Sequence, residues 1–358
     1  MFSQISDEID EIIQNAKQHE SIGRYDDAAK SLSAYWKNTN ERPDVSELNR
    51  EEQAEVLLRC GSLAGYIGSC GLKKDTQKLA QTLITEASRL FWLSGDIEKI
   101  AECETYMAST YQRVGQLDEA RGWINAALER EIDKNCEVRL YSYIIENLIL
   151  FEEKKYVALV NKCKGLEPLF RNSQFYILQG DFNNSYAFGL MKTGDRNGAL
   201  SRFELAKAFY TKTNHFLYLA GVENNLAIFF KTEGVYKEAH ESAKAARENY
   251  KKFGDRTREG YSIDTQAQIY LAEGKFEEAL NCANEAIKML QKGENYCYLV
   301  NSIETKCQIL LKMKDYETYA KTIVACINIA SIHISHRQAD KFIDSLAEVL
   351  SNRGNLTK

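Results

Sequence analysis

Two stretches decide the fold: "NNLAIFFKTEGVYKEAHESAKAA" at 224–246 and "TQAQIYLAEGKFEEALNCANEAI" at 265–287. In each, apolar residues at helical spacing lead into a glycine, an aromatic or its equivalent follows two residues later, and a second stripe built on alanine begins. Aligning Gly234 with Gly274 extends the register in steps of 40 residues, to Gly194 and Lys154 upstream and to Lys314 downstream. Two residues after each stand Tyr156, Arg196, Tyr236, Phe276 and Tyr316. Five after stand Leu159, Ala199, Ala239, Ala279 and Tyr319, and twelve after stand Leu166, Ala206, Ala246, Ala286 and Cys326. Seven before come Ala187, Ala227, Ala267 and Cys307. Small residues at facing positions let two antiparallel helices approach closely. The glycine ends the first helix because a positive φ costs it little, and the aromatic fills the corner. Each helix pair leaves an apolar face that only the next pair covers.

Working outward, the unit recurs around Gly115 (Leu117, Ala120, Ile124, Ala127) and around Gly23 (Tyr25, Ala28, Leu32, Tyr35). Between these lies a distorted copy in which Gly61, Ala80, Ile84 and Ala87 hold the small positions, with extra residues near 68–74. Eight units are therefore predicted, at 7–40, 50–93, 97–133, 138–170, 176–214, 216–254, 256–294 and 296–334. A cap helix is expected at 337–350 and a frayed tail at 352–358, with 1–351 forming one continuous domain. The joins at 94–96, 211–215, 251–255 and 291–295 are short and polar. The unit at 138–170 is the most degenerate, with Asn147 and Leu159 where small residues belong. Pro168 is expected in its closing join, marking either a kink or a specialised binding unit.

Composition agrees with an all-α reading. Of 358 residues only Pro43 and Pro168 are proline, 44% are hydrophobic and 27% are charged, which excludes collagen-like and disordered classes. A net charge of −5 supplies no global attraction to nucleic acid or anionic lipid. The amino terminus is acidic and amphipathic, unlike a secretory signal, and no apolar run approaches the roughly 18 residues of a membrane span. The nine cysteines form no C-x-x-C pair, and several take alanine positions, as expected of reduced core thiols in a cytoplasmic protein.

The quoted segments resemble the tetratricopeptide repeat, whose small–aromatic and G-x-[YF]-x-x-A pattern they follow closely, and the resemblance covers about 90% of the chain. The family's usual unit is shorter and ends in a proline absent here, so the chain is similar to its long-helix variant. The resemblance implies an α-solenoid, a right-handed superhelix in which the first helix of each unit lines a concave groove. It points to Glu102, Thr105, Tyr106, Ser109, Gln112 and Arg113, and then to Asp181, Asn184, Ser185, Phe188, Met191 and Lys192. It points further to Asn224, Asn225, Ile228, Lys231 and Thr232, and to Tyr261, Asp264, Thr265, Gln268 and Leu271. Asn224 and Asn225 stand out: a carboxamide both donates and accepts, so it can clamp the backbone of an extended peptide, or it can bond across neighbouring helices.

Catalytic and metal signatures are weak. His333-x-x-His336 could share one helix face but has no third ligand nearby, and no phosphate-loop, nucleophile-elbow or H-E-x-x-H motif occurs. Glu277-Glu278 and Asp118-Glu119 fall where they complement the positive end of a helix. The expectation is a non-catalytic, cofactor-free scaffold or regulator that binds a peptide or protein segment, with neither nucleic acid nor membrane as partner. Its alternative is a peptide-sensing regulator or regulatory subunit that controls an effector (a protease, kinase or transcription factor) by superhelix conformational change, with the effector expected on a separate chain since the first repeat begins near Asp7. A homodimer through Ile332, Ile334 and the cap helix is a further candidate contact.

Overall fold

A computed structural model describes residues 6–356, and the regular structure among them is entirely α-helical. Helices α1 (Asp7–Ser21) and α2 (Tyr25–Ser31) form the first pair, α3 (Arg50–Cys70) and α4 (Thr76–Ser94) the second, and α5 (Ile97–Val114) and α6 (Leu117–Glu129) the third. The fourth pair is α7 (Glu137–Glu152) with α8 (Tyr156–Arg171), and the fifth is α9 (Tyr176–Thr193) with α10 (Arg196–Lys212). Then come α11 (Phe216–Thr232) with α12 (Tyr236–Lys252), α13 (Arg256–Glu273) with α14 (Phe276–Leu290), and α15 (Tyr296–Met313) with α16 (Tyr316–His333). Helix α17 (His336–Leu356) closes the chain. This is an all-α solenoid of helical repeats.

The chain divides into two compact units: Met1–Gln112 with Leu117–Val222, and Arg113–Gln116 with Glu223–Lys358. In the second unit the forty-residue register is visible in the packing. Ala227, Ala239 and Ala243 make one small-residue seam, sealed by Ile269 from the following pair. Ala267, Ala279 and Ala283 repeat the seam, sealed by Ile309 forty residues on. The first unit does the same, with Ala108, Ala120, Ile124 and Ala127 covered by Ile145 and Ile149. Each alanine lets two helices approach, and each isoleucine adds the apolar area that alanine lacks.

The corner residues all adopt left-handed backbone: φ is 59° at Lys154, 92° at Gly194, 74° at Gly234, 78° at Gly274 and 61° at Lys314. Asp255 and Asn295, again 40 apart, cap α13 and α15 by accepting the backbone N–H three residues on. In the distorted second pair, Gly61 lies within α3 where a Cβ would come 2.8 Å from Ile84 Cγ1. A long first helix thus keeps the close approach the small position provides.

The structure corrects two expectations and extends a third. Pro168 lies inside α8 rather than in the join after it. The helix continues past it because Phe170 is buried and stacks on Phe182 at 4.3 Å, offsetting one lost backbone bond. His333 and His336 fall in different helices: His333 stacks on Tyr296 at 3.8 Å and His336 Nδ1 lies 3.2 Å from Ser331 Oγ. Helix α17 runs to Leu356, past the expected end of the cap at 350, while Thr357 and Lys358 of the expected frayed tail lie outside the described residues. The cysteines are free thiols, most of them buried, and burial raises Cys307 to about 12. Among the described residues no helix is long and apolar enough to cross a membrane.

Candidate functional site

The first unit forms a half-open cavity of about 540 Å³. One side of its lining comes from α1 (Gln14, Lys17, Gln18, Glu20) and Tyr25 of α2, and the middle from α3, α5 and α7. The other side comes from 175–181 and 213–218. The first turn of the chain comes back against that far side, for a Cβ on Gly23 would stand 3.0 Å from His215 Cε1. The cavity falls within the 300–1,000 Å³ range usual for ligand pockets.

At its base lies Arg59 of α3, 2% exposed. One Nη donates to Glu20 Oε2 at 2.6 Å and to the Tyr106 hydroxyl at 3.2 Å, and the other to Glu102 Oε1 at 3.1 Å. Lys99 bridges Glu55 at 2.5 Å and the second oxygen of Glu102 at 3.0 Å. Burial works against every charge here. For Glu102 burial pushes the carboxyl up, but Lys99, Arg59 and Lys17 together outweigh it and hold it down at about 2. Burial likewise opposes the Arg59 charge, and Tyr106, Glu20 and Glu102 overcome it. Arg59 and Lys99 are thus held among Glu20, Glu55 and Glu102 in the cavity wall, where breaking one partner would leave the other stranded.

Above the network stand aromatic rings. Tyr25 stacks on Tyr66 with centroids 4.8 Å apart, Tyr106 tilts against Tyr141 at 5.6 Å, and the Tyr66 and Tyr141 hydroxyls bond at 2.8 Å. On the far side His215 stacks on Tyr218 at 3.7 Å, and the Tyr210 hydroxyl donates to Asp181 at 2.6 Å. The tyrosines hold one another in place, so their faces are fixed before any ligand arrives.

Of the residues expected from the sequence, Tyr106 lines this cavity together with Glu102, Thr105 and Asp181. Arg59, Glu20, Lys99 and Glu137 were not expected. Arg59 and Glu20 come from outside the groove slots, and no spacing rule marks a contact 39 residues apart. Asn184 is half-buried in α9, whereas Ser185 and Phe188 are buried there, Phe188 with its ring edge-on to Phe151 at 4.6 Å. Arg113, half-buried, belongs with the second unit. In that unit the structure joins three expected residues into one chain: Lys231 Nζ donates to Gln268 Oε1 at 2.7 Å, and Gln268 Nε2 donates to Asp264 Oδ2 at 2.9 Å. Asp264 is fully buried, and burial raises its carboxyl to about 6 against the pull of Gln268, Thr305 and Lys231. Asn224 is 1% exposed and its Oδ1 accepts no hydrogen bond, Ile228 is buried, and Asn225 is half-buried. Among the described residues no group of three or more His, Cys, Asp or Glu is placed to hold a metal ion.

No protein-family model and no curated protein matches the chain. Solved structures do. A Rap protein complexed with Competence and Sporulation Factor is similar at a TM-score of 0.65 and 14% identity, over 90% of this chain and 96% of that one. Aspartyl phosphate phosphatase F from Bacillus subtilis is similar at 0.58 and 14%, over 93% and 96%. A monomeric mutant of IFIT1 with Gppp-AAAA is similar at 0.50 and 13%, over 91% and 68%. At such identities the likeness is one of fold, and that fold is the tetratricopeptide-like helical repeat.

Proposed function

We propose that the protein is a non-catalytic binding protein that captures a peptide or protein segment in the cavity of its first unit. The observation that carries this reading is the cavity itself, about 540 Å³ of half-open space lined by tyrosine rings and by an ion network. Rings, carboxylates, cations and amides together suit an amide backbone with mixed side chains better than they suit one small metabolite. The structural neighbours were solved with ligands as different as Competence and Sporulation Factor and Gppp-AAAA, so the fold alone does not choose. Lining chemistry favours the peptide: carboxylates outnumber cations in the cavity, which repels a nucleic-acid backbone. The half-buried Asn225, Lys231 and Gln268 in the second unit are proposed as a further contact surface, with Asn224 and Asp264 buried beneath them.

A second reading, a regulator that answers to its ligand, is favoured by one feature. Helix α1 and the 213–218 segment both line the cavity, so an occupant touches parts of the chain far apart in sequence and would bias how they pack.

Gln18 is exposed and lines the cavity from α1, so Gln18→Trp fills the space without disturbing the core. Binding of fluorescent octapeptide pools should fall at least tenfold in that variant while the thermal midpoint stays within a degree or two. Full binding by Gln18→Trp would remove the cavity as the seat.

A further inference from the structure

The forty-residue step does not stop at the last complete pair. From the corner at Lys314 it lands on Gly354, and from Cys307, seven before that corner, it lands on Ala347. Helix α17 therefore has the register of the first helix of a ninth pair. Its inward face behaves as that register requires: Ala339 and Phe342 are buried against the eighth pair, with Leu346 and Val349 at the edge.

A first helix has a second apolar face, which packs on the other helix of its own pair. In α15 that face is Ile303, Cys307 and Leu310, buried in one core with Tyr319, Ile323 and Cys326 of α16. In α11 and α13 its centre is Ala227 and Ala267, each buried against two alanines of the helix that follows. Forty residues after the α15 set stand Ile343, Ala347 and Leu350. All three are exposed, Ile343 at 47% and Leu350 at 54%, and no second helix among the described residues covers them. Helix α16, on which α17 packs, has turned apolar toward solvent as well. Its Val324, Ala325 and Ile332 are exposed where Asn284, Glu285 and Lys292 stand one unit earlier.

The earlier pairs show what covers this face: an antiparallel helix with small residues at the facing positions. Among the described helices every other first helix has its second, so α17 alone offers such a face uncovered. Turned end for end, that face is its own complement. With Ala347 set against its counterpart in a copy, Ile343 of each chain meets Leu350 of the other, since they lie four before and three after the centre. Small residues then stand where the helices cross and large ones at both ends, as in the internal seams. A contact of this kind is two-fold and closes on two copies. We infer that the protein pairs with a second copy of itself through this face, α17 of each chain serving as the missing second helix of the other. The inference is independent of the cavity, which lies in the first unit.

Sedimentation velocity of the full chain from about 1 to 100 μM should show dimer gaining on monomer as concentration rises. Ala347→Glu sets two like charges at the crossing point and should weaken association at least about tenfold with helix content unchanged. Ala347→Cys should form a disulfide-linked dimer on mild oxidation, because the two-fold brings that position against itself. Wild type, whose free thiols are mostly buried, should not. Ile343→Cys faces Leu350 and not itself, so it should cross-link far more when mixed with Leu350→Cys than alone. A chain that stays monomeric over the whole range overturns the inference. So does a dimer that Ala347→Glu leaves intact, or one in which Ala347→Cys fails to cross-link. Should Ala347→Glu lose helix content, the cross-linking of the cysteine variants decides alone.

Discussion

Lys154 and Lys314 take positive φ at corners where five other units place glycine, and that comparison puts a free-energy scale on the turn. Left-handed backbone costs a non-glycine residue roughly 1–2 kcal/mol, while glycine loses roughly 0.5–1 kcal/mol more chain entropy on folding. Lys314→Gly should therefore stabilise the second unit by about 0.5–1 kcal/mol. Gly234→Ala should destabilise it by about 1 kcal/mol, through the backbone alone, because a Cβ there meets nothing within 4 Å. Urea titration of both variants checks the pair, and a loss of stability in Lys314→Gly would contradict the strain. Those corners were legible in the sequence because a forty-residue step marks them whatever residue they hold. Arg59 was not. A lone arginine inside an amphipathic helix reads as a solvated charge, and only the arrival of Glu20 and Glu102 from two other helices makes its burial tolerable.

Among the elements, α11 and α13 carry the clearest case of a groove position absorbed by its neighbours. Lys231, Gln268 and Asp264 were expected as partner contacts from their places on the first helices. The folded chain spends them on one another across 37 residues and then within α13. Helical spacing gives the face a residue occupies; it does not give what the adjacent helix brings to that face. The arrangement has a pH signature. Asp264 is raised from its ordinary 3.8 to about 6, so between those values the folded state binds a proton that the unfolded chain has released. Stability from this group is fully present below about pH 4 and is lost as pH rises through 6. Asp264→Asn keeps an acceptor for Gln268 and removes the titration. It should be more stable than wild type by on the order of 2 kcal/mol above pH 7, with the difference vanishing toward pH 4. Chemical denaturation at several pH values tests this, and a pH-independent difference would show that Asp264 does not titrate in that window.

At the scale of the whole molecule, each pair is sealed by the next, and the last pair needs something that is not a repeat. Helix α17 supplies it. Ala339 and Phe342 join the terminal core beside Leu310, Tyr319, Ile323 and Cys326, with Leu346 and Val349 packed against the edge. Its amphipathic spacing made the cap legible in the sequence. The first-unit cavity was not, because α1 meets the 213–218 segment only through the accumulated rotation of five helix pairs, which no local pattern encodes. Nearest-neighbour packing also confines the effect of damage. Phe342→Ala removes a side chain only 9% exposed and should cost about 3 kcal/mol. That loss belongs to the terminal interface, so hydrogen exchange should quicken across α15, α16 and α17 first, by a factor on the order of 100 for amides that open with that interface. Amides of α3 and α4, whose partners are untouched, should exchange at wild-type rates. Uniform acceleration along the chain would mean that the repeats unfold as one cooperative block, and the cap would then be stabilising the whole chain rather than its end.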